Sequence, residues 1–475
     1  MRPLESFKNY KCKSYIHIDK RTSIKRVYKQ IQDKEYVSKH AFLPFIHYSL
    51  DLGKYTFISG HNNKTLKKCL KLDKNFNQST IKYWKPKKRE INYASHMDSF
   101  IYKYYGELLN EHYNRFAIAN GIDECAIAYR DNKKGKSNIH FAKEIFKFII
   151  EKEDVFVIAL DFSSFFDKIL HSELKKTLKQ ILEVNELPSD IYNVFKSITK
   201  FRYVEKQDLD DYLEKKHSFS DVKKLIKEHK INSYMDVKKF RNLVKERKLT
   251  VYPKTKSTIG IPQGSGMSAI CSNVRLINFD IEMNNWAKSL NALYRRYCDD
   301  LIWVIPKNEK TEIKSLEGEI YDKIAKYKDL DIQKEKTIVL SYSKNGMKNL
   351  KNENTKLDYL GFVFDGKVIK TREKSLFKYY NRAYRKTKVL AKKHIIYKRN
   401  AYIKNLYGLY THLGRNYKGY GNFVTYAYKA QYIMEELPVD VQIRRQVKRH
   451  WNKIHKRLEE NKEQFKRKLI FKTKM

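Results

Sequence analysis

The sequence has few of the features that mark secreted, membrane-spanning or repetitive proteins. It has 5 cysteines in 475 residues, widely scattered, with no C-x-x-C pair and no histidine cluster beside them. An odd, dispersed set of this kind indicates neither a disulfide framework nor a zinc site. No apolar run approaches the roughly 18 residues that cross a bilayer, so we expect no membrane helix.

The sequence also shows neither a secretory signal nor a long interdomain linker. The first residues, MRPLESFKNYKCKSYIHIDK, lack the apolar core of a secretory signal, so we expect a cytoplasmic protein. With only 8 prolines and 16 glycines, the chain has no long linker of either type and no internal repeat.

Acidic residues are scarce relative to basic ones. The chain has 54 Asp and Glu against 99 Lys and Arg, which gives a formal net charge of +45. From residue 370 to the end, 29 basic residues face 7 acidic ones, so nearly half of the excess lies there. Such a balance predicts a polyanionic partner, since each cation that neutralises a phosphate releases a counterion. The alternative is a basic, solvated surface, while 41% hydrophobic residues exclude a disordered basic tail.

The hydrophobic pattern mixes helices and strands, which predicts an α+β fold. Residues 155–161 form a β-branched and apolar run ending on an aspartate, typical of a central buried strand. Residues 95–120 have helical periodicity with an expected break near Asn110, and residues 267–290 predict one helix. Residues 204–250 are highly charged and indicate an inserted helical excursion. Beyond residue 370 the pattern is helical and basic.

A compact acidic centre, Asp299-Asp300, separates the apolar runs of ALYRRYCDDLIWVI and predicts the tip of a β-hairpin. Adjacent carboxylates repel each other, so a divalent cation would stabilise both. By itself the pair also fits an ordinary solvated turn.

Asp161 supplies a third carboxylate at the end of the predicted buried strand. Three carboxylates from a strand end and a hairpin tip can hold two Mg²⁺ ions about 3.5–4 Å apart, or Mn²⁺ in their place. One ion would activate a primer hydroxyl and the other would hold a nucleoside triphosphate. The alternative for Asp161 is a helix N-cap, although Asp167 is also placed for that role.

Two glycine-containing stretches could contact a nucleotide. In Ile261-Pro262-Gln263-Gly264, the glycine allows close backbone approach to a nucleotide and Gln263 can hydrogen-bond a sugar or phosphate. Gly135-Lys136-Ser137 suggests a P-loop, but that motif needs a glycine at the position that Arg130 occupies. A Walker-type ATPase is therefore excluded.

In chain order these segments resemble the motifs of the reverse transcriptase family. LDFSSFFDKILHSEL resembles motif A, IPQGSGMSAICSN motif B and YCDD motif C. Glu335-Lys336-Thr337 is similar to the motif D lysine element, and LDYLGF at residues 357–362 to the motif E primer grip. The resemblance covers about residues 95–370.

The resemblance implies a right-hand polymerase fold with fingers, a palm with an antiparallel sheet, a thumb and a helical, basic C-terminal region. Residues 1–94 would be an N-terminal basic extension of the fingers, 95–370 fingers and palm, and 371–475 the thumb and nucleic-acid-binding region. Asp161, Asp299 and Asp300 would be catalytic and bind metal, and Lys336 would protonate pyrophosphate.

Contacts to dNTP are implied at Arg130, Lys136, Phe162, Phe166, Gln263 and Gly264, and the primer grip at Leu360 and Gly361. Phe166 falls where the family places a bulky gate against the ribose 2′-hydroxyl. A buried core position is the alternative for Phe166, and Phe165 fits that description equally well. For Arg130, Lys136 and Lys336 an ordinary solvated charge is the alternative.

The C-terminal stretch from Tyr407 to Gln431 interleaves tyrosine with Lys and Arg. Such side chains can stack on bases or follow a duplex, or pack a helix against the protein through its aromatic face. The G-N-F-x-T-Y stretch near Asn422 and the YCDD form of motif C resemble the bacterial defence-associated and abortive-infection reverse transcriptases.

That resemblance implies cDNA synthesis from a dedicated non-coding RNA in antiphage defence, with RNA, DNA product and dNTPs as partners. Template-independent or protein-primed synthesis is an alternative, and a catalytically dead nucleic-acid-binding scaffold is another. Homo-oligomers are common in the family, and this sequence neither supports nor excludes one.

Overall fold

The computed structural model describes residues 14–57, 82–86, 88–216, 222, 225–226, 228, 230–253, 258–308, 312–397 and 403–473. Within them the chain forms the following helices: α1 (Ile24–Gln32), α2 (Lys34–Lys39), α3 (His96–Ala119), α4 (Asn138–Lys152), α5 (Phe165–Lys168), α6 (His171–Leu182), α7 (Ser189–Thr199), α8 (Lys206–Lys216), α9 (Val237–Lys245), α10 (Ser268–Arg275), α11 (Ile277–Ser289), α12 (Ile313–Ala325), α13 (Glu373–Tyr397), α14 (Ile403–Tyr410), α15 (Phe423–Met434), α16 (Ile443–Val447) and α17 (His450–Thr473).

The strands, in chain order, are β1 (Phe45–Asp51), β2 (Lys54–Phe57), β3 (Lys82–Lys85), β4 (Lys88–Tyr93), β5 (Val155–Asp161), β6 (Arg202–Glu205), β7 (Tyr252–Pro253), β8 (Leu293–Tyr297), β9 (Asp300–Pro306), β10 (Ile338–Ser343), β11 (Gly346–Asn349), β12 (Leu357–Tyr359), β13 (Phe362–Phe364), β14 (Val368–Thr371) and β15 (Asp440–Val441). The mixture of helices with mainly antiparallel sheets confirms the predicted α+β class.

The chain folds into two compact units, each assembled from separated stretches of sequence. The first unit contains Met1–Gly121, Ser164–Phe279 and Lys328–Asp331, and the second contains Ile122–Ser163, Asp280–Tyr327 and Ile332–Met475. The predicted domains were contiguous, with borders at residues 94 and 370; the functional labels given to them stay predictions.

The first unit contains the sheet β4-β1-β6-β7 and the separate hairpin β2-β3. Ile46 of β1 lies in register with Tyr93 of antiparallel β4 and with Val204 of parallel β6. Ile16, Ile18, Val204, Leu209 and Phe240 belong to one buried cluster with Ile46. Residues between 204 and 250 therefore share a core with the N-terminal strands. The sequence predicted an inserted helical segment there but not this shared core.

One fully buried ion pair fastens the short segment Lys328–Asp331 into the first unit. Arg275 at the end of α10 donates from Nε to Asp329 Oδ2 at 2.7 Å, and the two side chains are 2% and 1% exposed. The same carboxylate oxygen accepts the Leu170 backbone N–H at 3.1 Å. Buried charges are tolerated when they are paired and hydrogen-bonded in this way.

The second unit is built on an antiparallel sheet of order β11-β10-β5-β9-β8, with β5 at its centre. Residues of this sheet pack in one buried cluster with α4, α15 and the smaller sheet β12-β13-β14-β15. The central, buried position of β5 and the hairpin β8-β9 are both as predicted from the sequence. Long α13 and α17 form a further apolar cluster around Tyr379, Leu390, Leu406 and Leu458.

Two helix predictions are wrong in detail. The expected break near Asn110 does not occur, because α3 runs unbroken from its Ser95 N-cap and Asn110 is a buried residue within it. The single helix expected over residues 267–290 is interrupted at Leu276, which ends α10 just before α11. Among the described residues, no helix combines the length and apolar character needed to cross a membrane.

Candidate active site

Two of the three predicted catalytic aspartates lie directly opposite each other in the second unit. Asp161 is the last residue of β5 and is the register partner of Asp300, the first residue of β9. The Phe162 backbone N–H donates to the Asp299 carbonyl oxygen at 3.1 Å, so the backbone pairing continues to the hairpin tip. Strand register therefore brings Asp161 to the same edge as the Asp299-Asp300 pair.

The hairpin tip is a two-residue loop. Tyr297 pairs with Asp300, which leaves Cys298 and Asp299 between the strands. Cys298 has φ of 61°, the left-handed region that such short hairpin loops require and that residues other than glycine seldom adopt. The loop therefore has an uncommon backbone conformation, which contacts with neighbouring residues must stabilise.

The buried side chain of Arg296 stabilises this loop. Its guanidinium donates from Nε and Nη2 to the two carboxylate oxygens of Asp280, at 2.8 and 2.6 Å, and both side chains are fully buried. A further donor, Nη1, reaches the Cys298 carbonyl oxygen at 3.0 Å. Sequence reasoning missed this pair; its one signal was an arginine on an alternating strand three residues before Asp299.

Burial and mutual repulsion shift the hairpin carboxylates. The pKa of Asp300 rises to about 6, first because the protein around it partly desolvates its carboxyl, although the residue as a whole is exposed, and then because of the charges of Asp299 and Asp161. Burial also raises the pKa of Asp299, and the Asp161 charge adds to the shift. Lys336 and Arg372 act in the opposite direction on Asp300. The three carboxylates thus form one concentrated negative site.

Lys336 binds directly at that site. Its ammonium forms an ion pair with the Asp161 carboxylate, and its side chain is 47% exposed against 13% for Asp161. Lys336 belongs to a short 3-10 turn over Lys334–Lys336, and the neighbouring Gln333 backbone N–H donates to the Asp161 carbonyl oxygen at 2.8 Å. Lys336 therefore contacts the acidic site directly, and its role as a proton donor to pyrophosphate stays a prediction.

The donor chemistry of the site suits a hard divalent cation, since carboxylate oxygens are the ligands that Mg²⁺ and Mn²⁺ prefer. Within the described ranges, no three His, Cys, Asp or Glu side chains stand ready together as a metal-binding group. The Asp161 carboxylate instead forms an ion pair with the Lys336 ammonium. The residues fit a metal chemically, and Asp161 would exchange its lysine partner for the ion.

The predicted dNTP-contact cations differ in their surroundings. The side chain of Arg130 is fully buried: its guanidinium pairs with Asp123, and its Nη1 donates to the Ala126 carbonyl oxygen at 3.0 Å. Lys136 is half exposed, with Nζ 4.0 Å from a carboxylate oxygen of Glu124. Lys136 therefore offers an accessible charge, whereas Arg130 organises its own loop.

The aromatic candidates after Asp161 also separate by burial. Phe162 is 2% exposed and Phe165 is 3% exposed. Phe166, in α5 of the first unit, is half buried and so has surface to offer a ligand. The two adjacent phenylalanines lie on a short helix rather than on a strand.

Gln263 and Gly264 lie in the first unit beside β4. Gln263 lines a cavity with Asn92 and accepts the Asn92 backbone N–H on its carbonyl oxygen at 3.1 Å. Gly264 has φ of +112°, and a Cβ there would lie 2.9 Å from the Asn92 carbonyl oxygen. The Asn92 backbone therefore leaves no room for a side chain at Gly264, and the approach of Gly264 to a nucleotide stays a prediction.

The predicted primer grip is a second tight hairpin. Tyr359 pairs with Phe362, and both loop residues have positive φ, 46° at Leu360 and 94° at Gly361. This is the pattern of a type I′ turn, which matches the twist of its strands. The Leu360 carbonyl oxygen accepts the Asn138 side-chain amide at 2.9 Å, and the Gly361 carbonyl oxygen accepts the Arg372 backbone N–H at 2.9 Å.

The structure thus brings Asp161, Asp299, Asp300 and Lys336 together within the second unit, which also contains Arg130, Lys136, Phe162, Leu360 and Gly361. Phe166, Gln263 and Gly264 belong to the first unit. The assigned roles of all these residues stay predictions.

No family model and no curated protein matches the chain. Among solved structures, it is similar to an apo telomerase from Candida tropicalis truncated from its C-terminal domain, at 13% identity and a TM-score of 0.40, covering 60% of this chain and 53% of that one. It is also similar to a Candida albicans telomerase in complex with a TWJ fragment of telomeric RNA, at 12% identity and a TM-score of 0.35, covering 74% of this chain and 47% of that one. The chain spans about half the length of these telomerases.

Proposed function

We propose that this chain is an RNA-directed DNA polymerase that joins nucleotides at the site of Asp161, Asp299 and Asp300. The observation that carries the proposal is the pairing of the strand-end Asp161 with Asp300 of the hairpin tip. Partial desolvation and repulsion from Asp299 and Asp161 raise the pKa of Asp300 to about 6, so the site favours a cation. The order of the sequence motifs adds independent support.

In this proposal the three aspartates hold two Mg²⁺ ions. Bound there, the ions supply activation of a primer hydroxyl and neutralisation of the triphosphate. Lys336, which pairs with Asp161, would give up that partner to the metal and would donate a proton to departing pyrophosphate. Phe166 would exclude a ribose 2′-hydroxyl by its bulk, and Gln263 would hydrogen-bond the incoming nucleotide.

The fingers, palm and thumb arrangement, the cytoplasmic bacterial setting and the antiphage role belong to the same proposal. They are supported by the motif resemblance alone, as is copying of a dedicated non-coding RNA. Sequencing the RNA and DNA that co-purify with the chain from its native locus would identify template and product. Recovery of no DNA complementary to a bound RNA would contradict this finer part.

The central test is primer extension with Mg²⁺ on an RNA template. Asp299→Asn keeps the side-chain shape and removes the charge, so we expect incorporation to fall at least about a hundredfold. The matched control, Asp322→Asn, changes an exposed aspartate of α12 and should leave the rate unchanged. Undiminished synthesis by Asp299→Asn would refute the site.

The same assay separates the templated reaction from its alternative. Product complementary to the offered RNA supports a reverse transcriptase. Equal incorporation of single dNTPs with no template would instead indicate terminal-transferase-like synthesis at the same carboxylates.

A further inference from the structure

A cavity of about 550 Å³ opens among α13, α14 and the segment leading into α15, within the second unit. Five of the side chains that line it are aromatic: Tyr379, Tyr410, Tyr417, Tyr420 and Phe423. None of the described residues that line it is acidic. We call this cavity the Tyr420 pocket. It is separate from the residues of the carboxylate site.

The inner wall of the pocket is a preformed aromatic surface. Tyr379 is 5% exposed, its ring stacks on Phe423 with centroids 4.8 Å apart, and its hydroxyl donates to the Tyr410 carbonyl oxygen at 2.6 Å. Tyr420 differs, because it is 79% exposed at the edge of the cavity. An exposed ring of this size beside a fixed aromatic wall is suited to stacking on a planar ligand.

The loop that carries Tyr420 is fixed by Asn422. The Asn422 side-chain amide donates to the carbonyl oxygens of Gly408 and Thr411 at 2.9 and 2.7 Å. Its side-chain oxygen accepts the backbone N–H groups of Val424 and Thr425 and so caps α15. The Asn422 side chain therefore fixes the geometry of the loop, while the Tyr420 ring stays exposed to solvent.

Two cations complete the pocket. Lys378 and Arg382 lie four residues apart on α13, on the same face of the helix, and both are exposed. A guanidinium and an ammonium at this spacing favour an anion, phosphate above all. Aromatic faces and phosphate-binding cations therefore line one cavity.

We propose that the Tyr420 pocket binds a nucleotide, with the base stacked on the tyrosine rings and the phosphate on Lys378 and Arg382. A nucleotide is the ligand class that carries a planar ring and an anion together. The ligand is either a free nucleotide or an unpaired nucleotide of a single strand. Binding here goes beyond the proposed polymerisation, because it requires no incorporation.

The test measures binding of AMP by ligand-observed NMR and of a fluorescent 12-nucleotide single strand by anisotropy. Tyr420→Ala should weaken binding about 5- to 100-fold, the loss expected for one base stacked on an aromatic ring. Tyr420→Phe keeps the ring and should bind within twofold of wild type. Loss on both probes identifies a free nucleotide as sufficient, while loss on the strand alone identifies an unpaired nucleotide within a strand.

A matched control is Tyr432→Ala, since Tyr432 is 76% exposed on α15 and does not line this pocket. It should change neither affinity. Unchanged binding by Tyr420→Ala would overturn the proposal. An equal loss in Tyr432→Ala would also overturn it and would indicate binding to exposed aromatic residues in general. Asp299→Asn should bind both probes normally, so failure of the polymerase assignment and failure of the pocket give different results.

The phosphate contacts have a separate signature in salt. Replacing Lys378 and Arg382 together by glutamine should reduce the slope of log affinity against log salt for the single strand by about 0.7, since the two cations share one phosphate and each neutralised phosphate contributes about 0.7. Lys314→Gln, an exposed lysine of α12, serves as the control and should leave the slope almost unchanged. An unaltered slope in the double variant would show that Lys378 and Arg382 do not bind the phosphate.

Discussion

Arg296 and Asp280 form a fully buried, two-pronged ion pair, and the same guanidinium donates to the Cys298 carbonyl oxygen. The strand residue thus connects α11 to the loop that carries Asp299. A buried pair of this kind contributes little net stability, but breaking it leaves an uncompensated charge. Its value lies in fixing the position of the hairpin tip.

Arg296→Met should therefore destabilise the protein by about 3–5 kcal/mol, because Asp280 would remain buried without its partner. Arg296→Lys keeps the charge but loses the planar fork, so we expect an intermediate loss. Urea unfolding followed by circular dichroism measures both. The exposed pair Arg457–Glu460 on α17 provides the control, since Arg457→Met should cost less than about 1 kcal/mol. Equal losses at the two sites would contradict the positioning role of Arg296.

The raised pKa of Asp300, about 6 in the folded protein against 3.8 for an ordinary aspartate, makes stability depend on pH. The folded state holds this proton more tightly, so Asp300 costs stability as pH rises through 6. Because the residue is exposed, solvent screening limits that cost to about 1 kcal/mol or less. Asp300→Asn should be more stable than wild type at pH 7 without divalent cations and equally stable near pH 4. Urea midpoints across this pH range measure the difference.

Added Mg²⁺ provides the internal check on that result. It should stabilise wild type at pH 7, because a ligand of the folded state shifts the unfolding equilibrium, and should have a much smaller effect on Asp300→Asn. If the free energies of unfolding of wild type and Asp300→Asn differ by the same amount at every pH, with and without Mg²⁺, then the ionised Asp300 carboxylate does not destabilise the protein.

Phe166→Ala tests the ribose gate. Because Phe166 is half buried, loss of its ring should raise rNTP incorporation relative to dNTP in primer extension, by about tenfold or more for removal of a steric block worth over 1.4 kcal/mol. Phe165→Ala is the contrasting variant: its ring is 3% exposed, and its loss should cost about 3–5 kcal/mol of stability. An unchanged rNTP to dNTP ratio in Phe166→Ala would reject the gate.

His17 gives the first unit an acid-sensitive element. Its imidazole is completely buried, and burial lowers its pKa to about 3, with the nearby His96 acting in the same direction. The unfolded chain takes up a proton near pH 6.5 that the folded chain resists, so stability falls with decreasing pH by up to about 1.4 kcal/mol per pH unit. His17→Leu should flatten this loss between pH 6.5 and 4.5 in urea unfolding. His455→Leu, at an exposed position, should not, and matching slopes in the two variants would contradict the assignment.

Local patterns predicted the type and the ends of several elements. The β-branched run of β5 and the acidic interruption between β8 and β9 were sufficient to place Asp161 at a strand end and Asp299 at a hairpin tip. Helix α3 was misjudged because Asn110 looked like an interruption, whereas tertiary packing buries it inside an unbroken helix.

Contacts between distant residues were out of reach of such patterns. Nothing in the spacing of Arg296 and Asp280 distinguishes them from the many surface charges of this basic chain. The same holds for Arg130, which looked accessible in sequence and is buried against Asp123. In each case the partner is chosen by the packing of whole elements.

The buried pair of Arg275 and Asp329 has a consequence for the order in which this protein can be made. Chains emerge from the ribosome N-terminus first, and domains usually fold as they appear. Here the first unit must wait, because Arg275 lacks its carboxylate until the segment Lys328–Asp331 has been synthesised. An unpaired buried arginine is costly, so the nascent unit stays incomplete while most of the acidic hairpin region is translated. Folding of the two units is therefore linked in time during synthesis, and truncation before residue 329 should yield neither.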